Sequence, residues 1–408
     1  MKVWQLGICG FLFGGLLLGG HYEATAQLNL NELDGRRSES GGVKRNLLRP
    51  AVPLLSIAPD SRSSAMGDVG VASSPDVFSQ HWNSAKYAML PKKWGAAVSY
   101  IPWLRKLTNE INLAYLVGYY RIDKMQSLSA SLRYFSMGQM TFIDEQGNKL
   151  SSHNPNEFAL DIAYSRLFLQ NFSGAVAFRV IRSDLTGGFS QQNAVGTNKA
   201  GMSYAADVAL YYQNNLKLGA LPAQYGLGFT LTNIGSKLSY NDVYNNFIPI
   251  TLRLGGRFSA DVDSYNRLSA ELNASKLLIP TPPIYDKDHK IVKGMNPDVA
   301  VISGMLQSFY DAPGGAEEEF QEIYWGFGVE YSYANLLALR TGYYFEHENK
   351  GGRQYLTLGV GVTYNVIGLD ASYIIPSAGF NSPLANTLRF SLMVNFDQQK
   401  SSGRRRRG

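Results

Sequence analysis

Segments of about ten residues in which apolar side chains alternate with polar or small ones recur from about Gly95 to Phe396, and this period of two constrains the fold more than any other feature. It is clearest from Glu322 to Ser332. There Ile323, Trp325, Phe327, Val329 and Tyr331 share one face, and Glu322, Tyr324, Gly326, Gly328, Glu330 and Ser332 share the other. Tyr355 to Tyr364 repeats the pattern, with Leu356, Leu358, Val360 and Val362 opposite Tyr355, Thr357, Gly359 and Gly361, and Thr387 to Phe396 does so again. Weaker copies start near Gly95, Ile111, Gln126, Glu157, Phe172, Ser203, Gln224, Ile250, Arg267, Ala334 and Asn365. The spacing predicts about fourteen strands of about nine to eleven residues, the length a tilted strand needs to cross a bilayer.

A soluble sandwich also alternates, so the connections decide. Every other turn is short (122–125, 170–171, 261–263, 333–334 and 365–366), with Gln213 to Leu221 expected to be longer. The intervening connections are mostly long: 136–156, 183–202, 233–249 and 276–321. Segregation of this kind is the outer-membrane pattern, with the long loops extracellular. Composition agrees: 12% aromatic residues against 17% charged excludes a disordered chain, and no run of eighteen apolar residues follows the first twenty. A mean hydropathy of −0.15 suits a barrel whose alternate residues face lipid. Because an unpaired amide in hydrocarbon costs several kcal/mol, the sheet must close. The expected fold is therefore all-β, a transmembrane β-barrel of about fourteen antiparallel strands. The same alternation turns Arg133, Asp161, Arg179, Asp207, Arg253, Arg257, Glu271, Glu330, Arg340, Asp370 and Arg389 inward. With both signs present, a lumen filled by paired charges is expected rather than an ion path lined by one sign.

The ends differ from the body. Lys2, the apolar stretch Leu6 to Leu18 and Ala24-Thr25-Ala26 make residues 1–26 a signal peptide cleaved before Gln27. Cys9, the sole cysteine, leaves with it, so no disulfide or thiol chemistry is expected. Residues 27–53 read as a flexible polar arm, 54–94 as a hatch or plug, 95–396 as the barrel and 397–408 as a basic tail. Lys400 and Arg404 to Arg407 carry five of the six net positive charges, leaving +1 for the rest and no basic face for nucleic acid. Both termini are expected on the periplasmic side.

Between arm and barrel, Asp60-Ser-Arg62-Ser-Ser-Ala-Met66-Gly67-Asp68-Val-Gly70 leads through Gln80-His81-Trp82-Asn83-Ser84-Ala85. Its small residues permit close backbone packing, as a plug folded into a barrel mouth requires. This stretch resembles the amino-terminal hatch of FadL-type fatty-acid channels, which usually read Ala-Met-Gly and later Asn-Pro-Ala; Ser84 stands here in place of that proline. Taken with Ser99-Tyr-Ile-Pro-Trp-Leu104 and the 276–321 loop, the chain resembles the PorV (LptO) family, the FadL-related barrels of the Bacteroidetes type IX secretion system. That resemblance implies a cell outer-membrane protein that binds the carboxy-terminal signal domain of cargo leaving a SprA-like translocon. It also implies delivery to a surface attachment complex containing a PorU-like sortase. A passive channel for fatty acids or other hydrophobic molecules, and participation in lipid A deacylation, are the alternative readings.

No catalytic, cofactor or metal site is expected. His81, His153, His289 and His347 lack ligand spacing, Glu346-His347-Glu348 alternates across two faces, and Glu317-Glu318-Glu319 reads as a solvated charge run. Gly-Leu-Gly at 226–228, Gly-Phe-Gly at 326–328 and Gly-Val-Gly at 359–361 lie in strands with no following helix, so they read as lumen-facing glycines and not as phosphate loops. Asp60, Arg62, Met66, Gly67, Asp68, Gly70, Trp82 and Asn83 are the candidate hatch residues. Trp103, Leu104, Ile279, Ile284, Tyr285, Phe309 and Tyr310 are candidate partner-binding residues, because large apolar side chains in loops suit a docking surface.

Overall fold

The computed structural model describes residues 46–102, 110–143, 149–185, 187–188, 199–219, 221–241, 245–377 and 387–396. The expected signal peptide, the arm up to residue 45 and the tail from 397 lie outside these residues, as do Trp103 and Leu104. Eighteen strands follow one another: β1 Trp94–Pro102, β2 Ile111–Arg121, β3 Gln126–Met137, β4 Met140–Ile143, β5 Lys149–His153, β6 Asn156–Leu169, β7 Phe172–Asp184, β8 Gly201–Leu218, β9 Leu221–Gly235, β10 Thr251–Asp261, β11 Asn266–Leu277, β12 Ile284–Tyr285, β13 Ile291–Lys293, β14 Ile323–Tyr333, β15 Leu337–Phe345, β16 Gln354–Tyr364, β17 Ile367–Pro376 and β18 Leu388–Phe396. Fourteen of them form a closed antiparallel barrel, with β18 returning to pair with β1. The remaining four make two small hairpins, β4–β5 and β12–β13, inside long connections. Closure leaves the ring without a free sheet edge, as backbone in hydrocarbon requires.

The two faces of each strand separate as the alternation demands. On β16, Leu356, Leu358, Val360 and Val362 are 41 to 45% exposed on the outside, whereas Tyr355 and Thr357 are 1% and 0% exposed within. All eleven predicted inward charges point into the barrel. Strand lengths depart from expectation: β8 has 18 residues and β9 has 15. The polar run from Gln213, expected as a longer turn, is the stem of the β8–β9 hairpin, with Leu218 paired to Leu221. Past the membrane both strand faces meet water, so the pairing continues where the apolar alternation stops.

Short turns gather at one end of the ring, together with Trp94 and Phe396, whose rings stack at 4.3 Å where the barrel ends meet. The segment before β1 threads the lumen from the opposite end. Asn46 N–H donates to the Asn349 carbonyl at 2.8 Å in the β15–β16 connection, and Leu54 N–H donates to Glu157 at the long-loop end of β6. Farther along, Ser127 and Ser173, near the short-turn ends of β3 and β7, donate to the carbonyls of Tyr87 and Ala85. The two described chain ends, residues 46 and 396, therefore lie at opposite ends of the barrel; the termini themselves, expected on one side, lie outside the described residues.

The main apolar core joins this threaded segment to the long-loop end of the wall, with Leu54, Leu55, Phe78, Ile248, Ile250 and Leu278 among its members. Ile279 belongs to it at 3% exposure. It is a packing residue at the foot of the 276–321 loop and presents no surface to a partner, which corrects its assignment as a docking residue. Among the described residues no helix is long and apolar enough to cross a membrane.

Candidate functional site

Four short helical turns shape the hatch: Pro53–Ser56, α1 Ser61–Ser64, α2 Ser79–Trp82 and Ser84–Met89. Asp60 caps α1 by accepting from Ser63 N–H at 2.8 Å, and its other oxygen accepts from Trp82 Nε1 at 2.7 Å. Gly70 lets the indole close over the chain, because a Cβ there would fall on the Trp82 ring. Asn83 caps the last turn through Ala85 N–H and ties hatch to wall, its amide donating to the carbonyls of Val71 at 3.0 Å and Leu210 at 2.9 Å. The hatch residues singled out from sequence thus cooperate in one small buried body.

Arg62 fastens that body to the barrel, bridging Asp76 at 2.8 Å and Glu330 at 3.1 Å. Glu330 also pairs with Arg340 at 2.7 Å, and Arg340 with Asp370 at 2.5 Å, so a charge ladder crosses β14, β15 and β17. Opposite it, Arg133, Asp161, Arg179 and Asp207 form a second ladder across β3, β6, β7 and β8, with separations of 3.2, 2.5 and 2.9 Å. Asp68 accepts from the Tyr355 hydroxyl at 2.6 Å and pairs with Arg389 at 3.3 Å. Most of the inward charges are therefore paired, and among the described residues no lining of one sign runs through the lumen.

The wall glycines have a positive role that alternation could not reveal. Gly67, at φ +74°, lies so close to the wall that a Cβ would sit 2.6 Å from the Tyr343 carbonyl oxygen and 2.7 Å from that of Phe327. In the wall, a Cβ on Gly328 or Gly342 would strike the Met66 backbone, one on Gly326 the Gly67 carbonyl, and one on Gly228 the Val71 carbonyl. Thr357 Oγ1 accepts from Gly67 N–H at 2.9 Å. The hatch backbone from Met66 to Ala72 is bedded in a groove that only side-chain-free positions make deep enough.

The long-loop end carries the second element. Within 276–321 lie β12–β13, α3 Val301–Gln307 and α4 Ala316–Gln321. Glu318 and Glu319 are not a free solvated run: Lys350 pairs with Glu318 and Glu322 at 2.8 Å each, and Lys276 with Glu319 at 2.9 Å and Glu322 at 2.5 Å. Burial would raise the Glu318 carboxyl, but the hydrogen bond and charge of Lys350, with hydrogen bonds from Asn46 and Gly314 N–H, together hold it below the usual range. Asn46 donates to Glu318 and to the Pro282 carbonyl, tying the segment before the hatch into the same brace. Asp311 accepts from Thr281 N–H and Gln307 Nε2, and desolvation pushes its carboxyl up to about 6. Glu346 is buried and paired with Arg353 at 2.7 Å.

On top of this brace Phe309 and Tyr310 stay exposed, with Tyr285 exposed and Ile284 half-buried on the nearby hairpin. Ile302 and Leu306, 61% and 63% exposed, extend the apolar surface from α3. Sequence reading missed these two. Their signal was the i, i+4 spacing on a short helix whose other face, with Gly304 and Met305, is buried.

A closed antiparallel ring with an apolar outer face, segregated loops and an amino-terminal hatch defines a plugged outer-membrane β-barrel. The chain belongs to the family described as Type IX secretion system protein PorV, whose model matches residues 41–284. It is accordingly an outer-membrane component of type IX secretion. Similar solved structures include the TodX deltaS2S3 mutant monoaromatic hydrocarbon channel, at 11% identity and TM-score 0.48, covering 83% of this chain and 99% of that one. The Ralstonia pickettii toluene transporter TbuX follows at 10% identity and TM-score 0.44, covering 83% and 98%. A Pseudomonas aeruginosa FadL homologue has 10% identity and TM-score 0.41, covering 86% and 99%. No curated protein sequence matches the chain.

Proposed function

We propose that this barrel is a carrier that binds the carboxy-terminal signal domain of secreted cargo leaving a SprA-like translocon and hands it to a PorU-containing attachment complex. The observation that carries this reading is the bedding of the hatch backbone against the glycines of the wall. A lumen filled in this way favours work done at an outer surface over passage through the middle. It gives no support to a channel for hydrophobic molecules, and among the described residues no arrangement favours lipid A deacylation.

The surface that suits the task is the braced platform at the long-loop end, taken as extracellular. Leu306, Phe309 and Tyr310 are exposed aromatic and aliphatic anchors on a segment already ordered by buried ion pairs, so little conformational entropy is lost on docking. In this orientation Phe396 faces the periplasm and Asn46 the cell exterior. The test is a deletion strain complemented with the wild type or with the triple variant Leu306→Ser, Phe309→Ser, Tyr310→Ser. Co-purified cargo should fall at least about tenfold in the variant, with cargo building up in the periplasm, while the barrel keeps its heat-modifiable mobility. Unchanged capture would refute the platform as the docking site.

A further inference from the structure

Burying a guanidinium without a counter-charge is costly, so each interior arginine should have an evident partner. The ladders answer Arg133, Arg179 and Arg340, and Asp68 answers Arg389. Arg257 lacks a carboxylate but is bonded on every nitrogen, donating to the Ala72 carbonyl, Ser259, Gln224 and the Tyr211 hydroxyl. Arg253 is different. It is 6% exposed and donates one hydrogen bond, to Thr232 Oγ1 at 3.1 Å, with no ion pair among the described residues.

Its neighbours are donors too. Strand register sets Arg253 beside Thr230 on β9 and Ser275 on β11, and Ser275 beside Tyr324 on β14, so four polar side chains form one row around the inner wall. Thr230 Oγ1 is buried without a hydrogen-bond partner. Arg253 is within electrostatic reach of Tyr324 and of His81 in the hatch. The carboxylates on the adjoining strands do not pair with it: Asp207 is committed to Arg179 and Asn233 N–H, and Glu271 accepts from Ala72 N–H through one oxygen and lies four residues along β11 from Ser275.

We infer that this row is a binding site for a small oxyanion, a phosphate or carboxylate group, held by the Arg253 fork and by the hydroxyls of Thr230 and Ser275, the Thr232 hydroxyl being already donated to the Thr251 carbonyl. A planar guanidinium with unused N–H donors matches two oxyanion oxygens, and poor solvation strengthens each such bond. The group comes either from a free ion or from the head of an amphiphile. The site is independent of the cargo reading.

The test uses the full mature chain refolded in zwitterionic detergent and freed of oxyanions. Inorganic phosphate is followed by 31P line width and carboxyl-labelled decanoate by 13C line width. Saturable binding of phosphate identifies a free-ion site, and saturable binding of decanoate alone identifies a headgroup site. In either case Arg253→Met should weaken binding at least about tenfold, or about 1.4 kcal/mol, and Thr230→Val roughly threefold. Lys237→Gln, on a loop ion pair with Asp298, should leave it unchanged. If Arg253→Met fails to refold, Arg253→Lys replaces it, since it keeps the charge, loses the fork and should still weaken binding. Absence of saturable binding for both probes, or equal binding by the Arg253 variant, would overturn the site and leave water as the partner of the guanidinium.

Discussion

Adding one methyl group to the inner wall at Gly342 tests the seating of the hatch. A Cβ there would overlap the carbonyl carbon of Met66 and the amide nitrogen of Gly67, both backbone atoms with no flexible end to swing aside. Gly256, on the lipid side of β10, supplies the matched control, because its nearest atom is Leu227 Cδ2 at 3.9 Å. In a strand, alanine gains about 0.5–1 kcal/mol over glycine through reduced backbone entropy, and that gain is common to both sites. The difference between the variants therefore isolates overpacking, worth about 1–3 kcal/mol. The upper part of that range is expected where backbone meets the added carbon. Urea titration of both proteins in detergent, read by gel mobility, should show Gly256→Ala at or above wild-type stability and Gly342→Ala below it. Tryptic cleavage at Arg62 should accelerate in Gly342→Ala alone. Equal stability of the two variants, with Arg62 equally protected, would refute the bedding of the hatch on glycine.

Leu358→Arg should cost about 2–4 kcal/mol in the same titration, because its side chain faces lipid. The inward-facing Thr357 escapes the lipid penalty but accepts from the Gly67 amide, so Thr357→Val should cost about 1–3 kcal/mol by stranding a buried donor; wild-type stability would contradict that bond. Lys350→Met leaves Glu322 and Glu318 facing each other without that lysine, and a broken buried pair costs about 3–5 kcal/mol. Limited proteolysis should then cut within 276–321 while the barrel stays folded, and an uncut loop would count against the brace. For Asp311, burial raises the folded-state carboxyl from 3.8 to about 6, so the folded loop holds a proton that the open loop has released. Loop protection against hydrogen exchange should therefore be fully present below pH 3.8, fall as pH rises to about 6 and then level off. Asp311→Asn should flatten that slope; an opposite slope would contradict the assignment.

The membrane wall was legible because lipid outside and a packed lumen inside force a period of two, and each of the fourteen barrel strands coincides with a segment where the sequence alternates, clearly or weakly. Legibility fails where that contrast fades. The β8–β9 stem beyond Gln213 looks like a turn because both of its faces are wet, and β12–β13 are too short to alternate. Inside, the sequence identified Asp60, Arg62, Trp82 and Asn83 as a group, since small and polar residues crowd there. It could not show that Gly328 and Gly342 meet Met66, because that contact joins positions more than 250 apart. Ile279 misled for a related reason: an apolar side chain in a long loop reads the same whether it anchors the loop or awaits a partner. Glu318 and Glu319 read as a solvated run because the lysines that pair with them lie on other connections.

The most direct test of a carrier that works with its lumen shut is to lock the hatch in place. Ser61 and Ser391 approach with their hydroxyl oxygens 3.0 Å apart, one on α1 and one on β18, and cleavage of the signal peptide would leave the mature chain no competing cysteine. Ser61→Cys with Ser391→Cys should form a disulfide across hatch and wall in the oxidising periplasm. Cargo release by a strain carrying only this locked barrel should match that of the same strain after reduction. Secretion that stops while the disulfide is intact, and resumes when it is reduced, would contradict a fixed hatch.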